Sequence, residues 1–159
     1  MSATSRVWSL RPATEADADF LLAVYGSTRA EELALTGWSP AEKDAFVRMQ
    51  FHAQTVGYRA QSPGAEHLVI LVGGEPAGRA IIDRSGPELR VMDVALLPER
   101  RGQGIGTELM RELQAEGAAA GRPVTLHVEV FNRALGWYQR LGFRAAGQQG
   151  IHVAMAWTP

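Results

Sequence analysis

The chain has 159 residues, of which 46% are apolar and 21% charged, and this composition is typical of one globular domain, here 1–159. It contains no cysteine, which excludes disulfides, thiolate metal sites and a thiol nucleophile, and which fits a reducing compartment. Sixteen basic and seventeen acidic residues leave a net charge of -1, so the sequence indicates neither a nucleic-acid partner nor a membrane surface. Residues 1–17 lack the apolar core of a signal peptide and no apolar run reaches membrane-spanning length, so we expect a cytoplasmic protein.

The first part of the chain predicts one strand followed by two helices. Residues 7–11 form a strand-like run, and the capping box at 14–17 predicts the start of a helix. A second capping box at 39–42 has proline at the first helical position. We expect the helix that it opens to run to about Ala60, because the turn residues 62–64 follow.

The second part of the chain predicts five strands and two helices. The elements are strands at 67–72, 76–83 and 88–97, a helix at 102–120, a strand at 124–130, a short helix capped by Asn132 that ends at 141–142, and two strands within 143–157 turned around 147–150. Strand 124–130 alternates in polarity, so we expect one of its faces to be buried. The element order predicts one mixed α/β (α+β) domain.

A glycine-rich turn at 101–107, Arg-Gly-Gln-Gly-Ile-Gly-Thr, joins a predicted strand to a predicted helix. The first amides of a helix lack internal partners and carry the positive end of its dipole, and glycines let a phosphate approach the backbone. A Rossmann turn would need glycine where Thr107 stands, and the Gly-Lys-Ser/Thr of a P-loop is absent. The turn therefore indicates a phosphate cradle of another kind, with a plain tight turn as the alternative.

Two motifs give the chain a resemblance to a known family. Residues 101–106 match the R/Q-x-x-G-x-G/A signature of the GCN5-related N-acetyltransferase (GNAT) superfamily, and residues 132–143 are similar to its N-x-A-x-x-x-Y-x-x-x-G-F pattern. The element order over nearly the whole chain is also the family's. The resemblance implies a central, mixed, mostly antiparallel twisted sheet of about seven strands flanked by four helices. It also implies an enzyme that transfers an acetyl group from acetyl-CoA to an amine.

The resemblance assigns coenzyme A contacts to particular residues. In this family the main-chain amides of the glycine turn hold the pyrophosphate, which here places that role on Arg101, Gly102, Gln103, Gly104, Ile105, Gly106 and Thr107. The preceding strand carries a bulge and leaves main-chain groups for the pantetheine arm, at the position of Leu96, where an amide can polarise the thioester carbonyl. Asn132 matches a CoA-contacting asparagine, and it is equally well explained as a helix N-cap.

Tyr138 stands where the family carries its usual general acid. A phenol with an ordinary pKa near 10 can protonate a departing thiolate of comparable basicity. The alternative interpretation is a tyrosine that only packs beside Trp137 and Phe143.

The attacking amine must lose a proton, so the reaction also needs a general base. Asp93 and Glu129 are the candidates, with His127 on the same strand face as Glu129 and water alone as a further option. Asp93 lies in an apolar run, which also suits a carboxylate paired with an arginine such as Arg90. The other histidines are scattered, and their spacing indicates no metal site.

The first two helices usually wall the acceptor pocket in this fold, and we take Arg29, Trp38 and Phe51 as candidate acceptor-binding residues. The second helix has two apolar stripes, one of which comprises Ala45, Met49, His52, Ala53 and Val56, and the other Val47, Phe51 and Tyr58. Two apolar stripes predict two contact surfaces, one with the sheet and one with a substrate or with the second subunit of a homodimer. The alternative is that neighbouring elements of the same chain bury both stripes.

The sequence leaves the acceptor and the exact donor open. A small-molecule amine is the first hypothesis, and a protein N-terminus or a lysine side chain is a second. A non-catalytic acyl-CoA-binding module is a hypothesis of a different class, and so is transfer of another short acyl group such as succinyl.

Overall fold

The computed structural model of the chain describes residues 7–159 and contains, within that range, seven strands and four α-helices. In chain order these are β1 (Trp8–Pro12), α1 (Ala18–Ala34), α2 (Pro40–Gln61), β2 (Glu66–Val72), β3 (Glu75–Asp83), β4 (Leu89–Leu96), α3 (Ile105–Ala120), β5 (Val124–Glu129), α4 (Ala134–Arg140), β6 (Arg144–Gln149) and β7 (His152–Trp157). The predicted order of elements and the predicted fold class are confirmed.

The seven strands form one sheet in the order β1-β2-β3-β4-β5-β7-β6. Every neighbouring pair is antiparallel except β4 and β5, which are parallel. The β4–β5 ladder is short, because it joins only Leu89, Arg90 and Val91 to the first three residues of β5. Beyond that point the two strands no longer pair, and the middle of the sheet opens.

Both predicted capping boxes are present. The Asp17 carboxylate accepts a hydrogen bond from the Thr14 backbone N–H at 2.8 Å, and a 3-10 turn at Glu15–Asp17 leads into α1. At the start of α2, the Glu42 N–H donates to Ser39 Oγ while the Ser39 N–H donates to Glu42 Oε1, both at 3.2 Å. These reciprocal bonds satisfy amides that a helix start leaves without partners.

Two predicted boundaries were wrong, and left-handed glycines explain both. The helix predicted to begin at residue 102 begins at Ile105, because Gly102 and Gly104 have φ values of 75° and 81°, which a right-handed helix cannot contain. The turn of the last hairpin lies at 150–151, where Gly150 has φ 59°, while Gly147 is part of β6.

The main core lies between one face of the sheet and helices α3 and α4. Val124, Leu126 and Val128 of β5 are buried in it, while His127 and Glu129 point to the other face and are exposed, as the alternating pattern predicts. Helices α1 and α2 cover that other face only over its β3–β4 half, and they have a small core of their own, made of Tyr25, Leu33 and Val47.

The two stripes predicted on α2 have different environments. Val47 is buried, whereas Met49 and Val56 of the other stripe are 58% and 53% exposed. The interpretation that neighbouring elements bury both stripes was therefore wrong for the described residues. Between residues 7 and 159, no helix combines the length and the apolar character needed to cross a membrane.

Candidate active site

The opening between β4 and β5 is a groove of about 1270 Å³ that runs from the start of α3 to the inner faces of α1 and α2. It brings together residues that are far apart in the sequence. The predicted site residues that line it are Arg29, Asp93, Leu96, Arg101, Gly102, Gly104, Ile105, Gly106, Thr107, Glu129, Asn132 and Tyr138. Gln103, Trp38 and Phe51 are not part of its lining.

A β-bulge in β4 lies at Met92. Ile82 of β3 pairs with Val91, but the preceding residue, Ile81, pairs with Asp93, so Met92 is the extra residue. The bulge re-aims the strand where it leaves β5. The Met92 carbonyl then receives a long hydrogen bond of 3.5 Å from the Tyr58 hydroxyl of α2. The bulge that the resemblance implied is thus found in the strand before the glycine turn.

Gly78 of β3 is paired with Leu96 of β4 and lies against the backbone of that strand. A Cβ atom on Gly78 would overlap the Ala95 carbonyl oxygen and would lie 3.0 Å from the Leu96 Cα. Only glycine fits this position. The sequence analysis missed it, although a lone glycine inside a predicted strand is a signal of close backbone approach.

The glycine turn leaves the first turn of α3 without a side-chain cap. Gly104 is the N-cap residue and its φ is left-handed, so the first amides, at 105–107, have neither an intrahelical acceptor nor a capping side chain. A Cβ at Gly102 or Gly104 would meet no protein atom within 4 Å, so the space in front of the turn is open. Arg101 closes the turn, because its Nε donates to the Leu96 carbonyl at 3.0 Å.

Asn132 lies just before α4 and lines the groove at the same time. Its Oδ1 accepts a hydrogen bond from the Ala134 N–H at 2.8 Å, and its backbone carbonyl accepts one from Leu135 at 3.1 Å. The N-cap position itself is Arg133, so the predicted position was one residue early, but the Asn132 side chain does accept from the first residue of the helix. The groove position is compatible with the second role, since the side-chain amide is a donor that the cap does not use.

Tyr138 of α4 is half-buried in the wall of the groove. Its ring packs against Trp137, with 4.8 Å between centroids, and edge-on against Phe143 at 5.8 Å. Burial, with a smaller contribution from the negative charge of Asp93, raises the pKa of Tyr138 to about 12. The phenol is consequently protonated at neutral pH and can only donate a proton there.

Asp93 pairs with an arginine, but the partner is Arg79 of β3 rather than Arg90. The Asp93 Oδ2 and the Arg79 Nε are 2.5 Å apart, and the Asp93 side chain is 24% exposed to the groove. Arg79 was not among the candidate residues. A lone arginine inside the apolar run 76–83 was the available signal, because a buried arginine needs a counter-ion.

Glu129 lies across the groove from Asp93, at the end of β5, and it is exposed. It pairs in register with His152 of β7, and His127 is two residues away on the same face of β5. Within residues 7–159, no arginine, lysine or histidine forms an ion pair with Glu129. The same part of the chain has no cluster of three side chains that could hold a metal ion.

Residues 63–145, more than half of the chain, match the family model described as the acetyltransferase (GNAT) domain. The chain belongs to the GNAT family. Members of this family are acyltransferases that take the acyl group from a coenzyme A thioester, here expected to be acetyl-CoA, which is the donor that the two sequence motifs implied.

Other GNAT proteins resemble the chain at different levels. Over 62 residues it is 44% identical to the mycothiol acetyltransferase of Nocardia farcinica, a match that covers 38% of this chain and 20% of that enzyme. The chain thus spans about a fifth of the length of the curated relative that it matches. The PaiA N-acetyltransferase of Thermoplasma acidophilum, solved in complex with coenzyme A, is 18% identical with a TM-score of 0.71, and the match covers 96% of this chain and 99% of that one. A histone acetyltransferase HPA2-related structure from Corynebacterium glutamicum is 23% identical with a TM-score of 0.68, covering 97% of each chain. Both structural likenesses show the GNAT fold.

Helices α1 and α2, which the resemblance implied as the wall of the acceptor pocket, line one side of this groove. Arg29 lines it, donates from Nε to the Tyr25 hydroxyl at 3.1 Å and forms an ion pair with Glu32 at 2.9 Å. Trp38 and Phe51, which were also predicted, pack elsewhere: Trp38 against Phe46 at 5.3 Å, and Phe51 against the buried ring of Tyr25 at 5.8 Å.

The groove-lining residues of these helices that the sequence analysis did not select are Tyr25, Thr28, Glu32, Gln54, Tyr58 and Gln61. Helical periodicity alone could not select them, because it does not say which face of a helix meets the groove.

Proposed function

We propose that this GNAT protein transfers an acetyl group from acetyl-CoA to a primary amine of a small molecule, by direct attack of the amine on the thioester. The observation that carries the proposal is the groove itself. It places the glycine turn, Leu96 and Tyr138 along one continuous path through the open sheet. The likeness to an enzyme named for mycothiol, a small molecule, favours a small acceptor over a protein.

The half of the groove beside α3 is assigned to coenzyme A. The amides of 105–107 and the left-handed glycines before them offer an uncapped, positively polarised surface for the pyrophosphate. Arg101 and Gln103 belong to the same turn. Leu96 and Asn132 line the same groove, and we assign their main-chain and side-chain amide groups to contacts with the pantetheine arm.

The chemical step needs one proton donor and one proton acceptor. The amine nitrogen attacks the thioester carbon, the C–N bond forms, the C–S bond breaks, and the departing thiolate takes the proton of Tyr138. The raised pKa keeps the phenol protonated until the thiolate departs.

Glu129 is the proposed proton acceptor, directly or through water. It carries a carboxylate that no cation among the described residues neutralises, and His127 and His152 beside it lead to solvent. Asp93 is less suited to this step, because its charge balances the buried guanidinium of Arg79. We assign Asp93 a role in contacting the amine instead.

The test is thiol release from acetyl-CoA with a panel of small amines, amino acids and short peptides, with calorimetry of coenzyme A binding alongside. Acceptor-dependent thiol release with a small amine is the expected result. Release with peptides alone would favour a protein acceptor, and tight coenzyme A binding without release for any acceptor would favour a non-catalytic acyl-CoA-binding module. Absence of coenzyme A binding would contradict the assignment of the groove. Succinyl-CoA in the same assay tests the donor.

A further inference from the structure

The acceptor half of the groove is organised around Arg79, a residue to which neither the family motifs nor the proposed acetyl transfer gives a role. Arg79 lies on β3 and is only 6% exposed. A buried guanidinium is costly unless several partners satisfy it. Arg79 has partners on three other elements: Asp93 of β4, Gln54 of α2 through a 2.5 Å bond from Nη2 to Oε1, and the rings of Tyr25 and Phe51.

The guanidinium of Arg79 packs beside a pair of aromatic rings whose centroids are 5.8 Å apart. Its central carbon lies 6.0 Å from the ring centroid of Tyr25 and 5.6 Å from that of Phe51. The two rings come from different helices, α1 and α2. A guanidinium that packs against this aromatic pair and is hydrogen-bonded through both Nε and Nη2 has little freedom to move, so the carboxylate that it binds is held as well.

Asp93 shares only one of its oxygens with Arg79. Oδ2 accepts the bond from Arg79 Nε, while Oδ1 has no hydrogen bond to any residue in the described part of the chain. The side chain is partly exposed and lines the groove. The pair therefore leaves one unused hydrogen-bond acceptor on a residue that lines the groove.

Two charged residues of this half of the groove, Asp93 and Arg29, each have a partner of opposite charge. Asp93 is paired with Arg79, and the nearby Arg29 is paired with Glu32. Tyr58 and Tyr138, which also line the groove, both have a pKa raised first by burial and then by the charge of Asp93, so both are neutral phenols. Because the Asp93–Arg79 pair has no net charge of its own, this acceptor recognises a ligand through hydrogen-bond donors, and the unpaired carboxylate of Glu129 is a separate feature of the groove.

We propose that Arg79 is a positioning residue that holds Asp93 Oδ1 in the groove as the docking point for the N–H groups of the acceptor amine. The inference rests on the proposed function and specifies its acceptor as an unhindered primary amine. It also gives the two carboxylates of the groove different tasks, with Asp93 orienting the amine and Glu129 receiving its proton.

The test uses binding to the coenzyme A complex, in which no acetyl group is available for turnover. The probes are n-butylamine, which carries N–H donors, and butyltrimethylammonium, which carries a positive charge without them. Each is titrated by NMR, with the backbone amide resonances of β4, which every variant retains, as the reporter. We expect n-butylamine to bind at least about tenfold more tightly, and Asp93→Asn to remove about that factor, as for loss of a hydrogen bond to a charged group.

Variants at Arg79 separate positioning from general stabilisation. Arg79→Met should weaken n-butylamine binding as much as Asp93→Asn does, with coenzyme A affinity within about twofold of wild type. Arg79→Lys keeps the charge and should recover part of the loss, and it serves as the test if Arg79→Met does not fold. Arg84→Met is the matched control, because Arg84 also binds two carboxylates, those of Glu66 and Glu116, but lies outside the groove.

Three results would overturn the inference: equal affinity for the two probes, unchanged n-butylamine affinity in Asp93→Asn, or parallel losses of n-butylamine and coenzyme A binding in Arg79→Lys. Failure of the proposed function gives a different result. A protein that docks n-butylamine through Asp93 but releases no thiol with any amine would refute acetyl transfer and leave the docking pair standing.

Discussion

The indole Nε1 of Trp137 donates a hydrogen bond to Thr107 Oγ1 at 3.0 Å. This bond connects α4 to the first turn of α3, and the same indole ring lies 3.6 Å from where a Cβ on Gly106 would be. Trp137 is the residue before Tyr138. The contact therefore ties the proposed phosphate cradle to the helix that carries the proposed general acid.

Loss of this bond should affect both halves of the site. We expect Trp137→Phe to weaken coenzyme A binding and to lower kcat, with a loss of about 1 kcal/mol in the free energy of unfolding, the usual value of a neutral hydrogen bond. Thr107→Val removes the same bond from the other side. The double variant should then lose no more coenzyme A affinity or free energy of unfolding than the more damaging single variant does. Calorimetry measures the affinity, and urea unfolding measures the stability. Additive losses would mean that the two residues act separately.

Tyr138→Phe keeps the ring packing against Trp137 and Phe143 and removes only the acidic proton. We expect kcat to fall by about a hundredfold or more, as for loss of a general acid, while the dissociation constant of coenzyme A stays within about twofold. Thiol-release kinetics and calorimetry measure the two quantities. A kcat equal to that of wild type would remove Tyr138 from the proton-transfer step.

Gly104→Glu should abolish coenzyme A binding, because it puts bulk and negative charge where the pyrophosphate is proposed to lie. The substitution also strains the backbone, since Gly104 has φ 81°. Gly37→Glu is the matched control: Gly37 has φ 72°, its Cβ would also meet no atom within 4 Å, and it lies outside the groove. Calorimetry should show binding lost in the first variant and retained in the second. Equal binding by both would contradict the cradle.

Gly78→Ala should destabilise the protein by about 1–3 kcal/mol, because its methyl group overlaps the backbone of β4 at Ala95. It should also weaken acetyl-CoA binding, since the displaced strand carries Leu96. Gly57→Ala is the control within α2, where a Cβ meets nothing within 4 Å and alanine favours the helix. Urea unfolding should show a lower free energy of unfolding than wild type for Gly78→Ala and a higher one for Gly57→Ala. An unchanged free energy of unfolding in Gly78→Ala would mean that β3 can move away from β4 without loss of stability.

Acid should weaken the start of α1 through Asp17. The Arg11 guanidinium and the Thr14 N–H hold the pKa of this carboxylate well below its ordinary value of 3.8. A depressed pKa contributes stability that is complete above the ordinary value and is lost as the pH falls through it towards the folded-state pKa. Asp17→Asn should therefore be destabilised relative to wild type at pH 7, and the difference should shrink below about pH 4. If the difference in free energy of unfolding between wild type and Asp17→Asn did not depend on pH, the loss of stability would be due to packing and not to the charge of Asp17.

The order of the elements and the two family motifs could be predicted from the sequence because their signals are local. A capping box is formed by four consecutive residues, and the tolerance of a left-handed φ is a property of a single glycine. The polar alternation of β5 can likewise be seen in that strand alone. The same local signals led to Tyr138, Asn132 and the glycine turn. They were less reliable at boundaries, where the left-handed φ of Gly102 and Gly104 delayed the start of α3.

Tertiary structure decided which distant groups meet. Asp93 pairs with Arg79, 14 residues away, rather than with its near neighbour Arg90, and Gln54 reaches Arg79 across 25 residues. The bulge at Met92 depends on the register between β3 and β4, and the face of α2 that meets the groove depends on how the helix packs. The ion-pair partner of Asp93, the register of β3 against β4 and the face of α2 that lines the groove all depend on the complete fold. No short segment contains the energy difference that selects them, because that difference arises only when separate elements pack together.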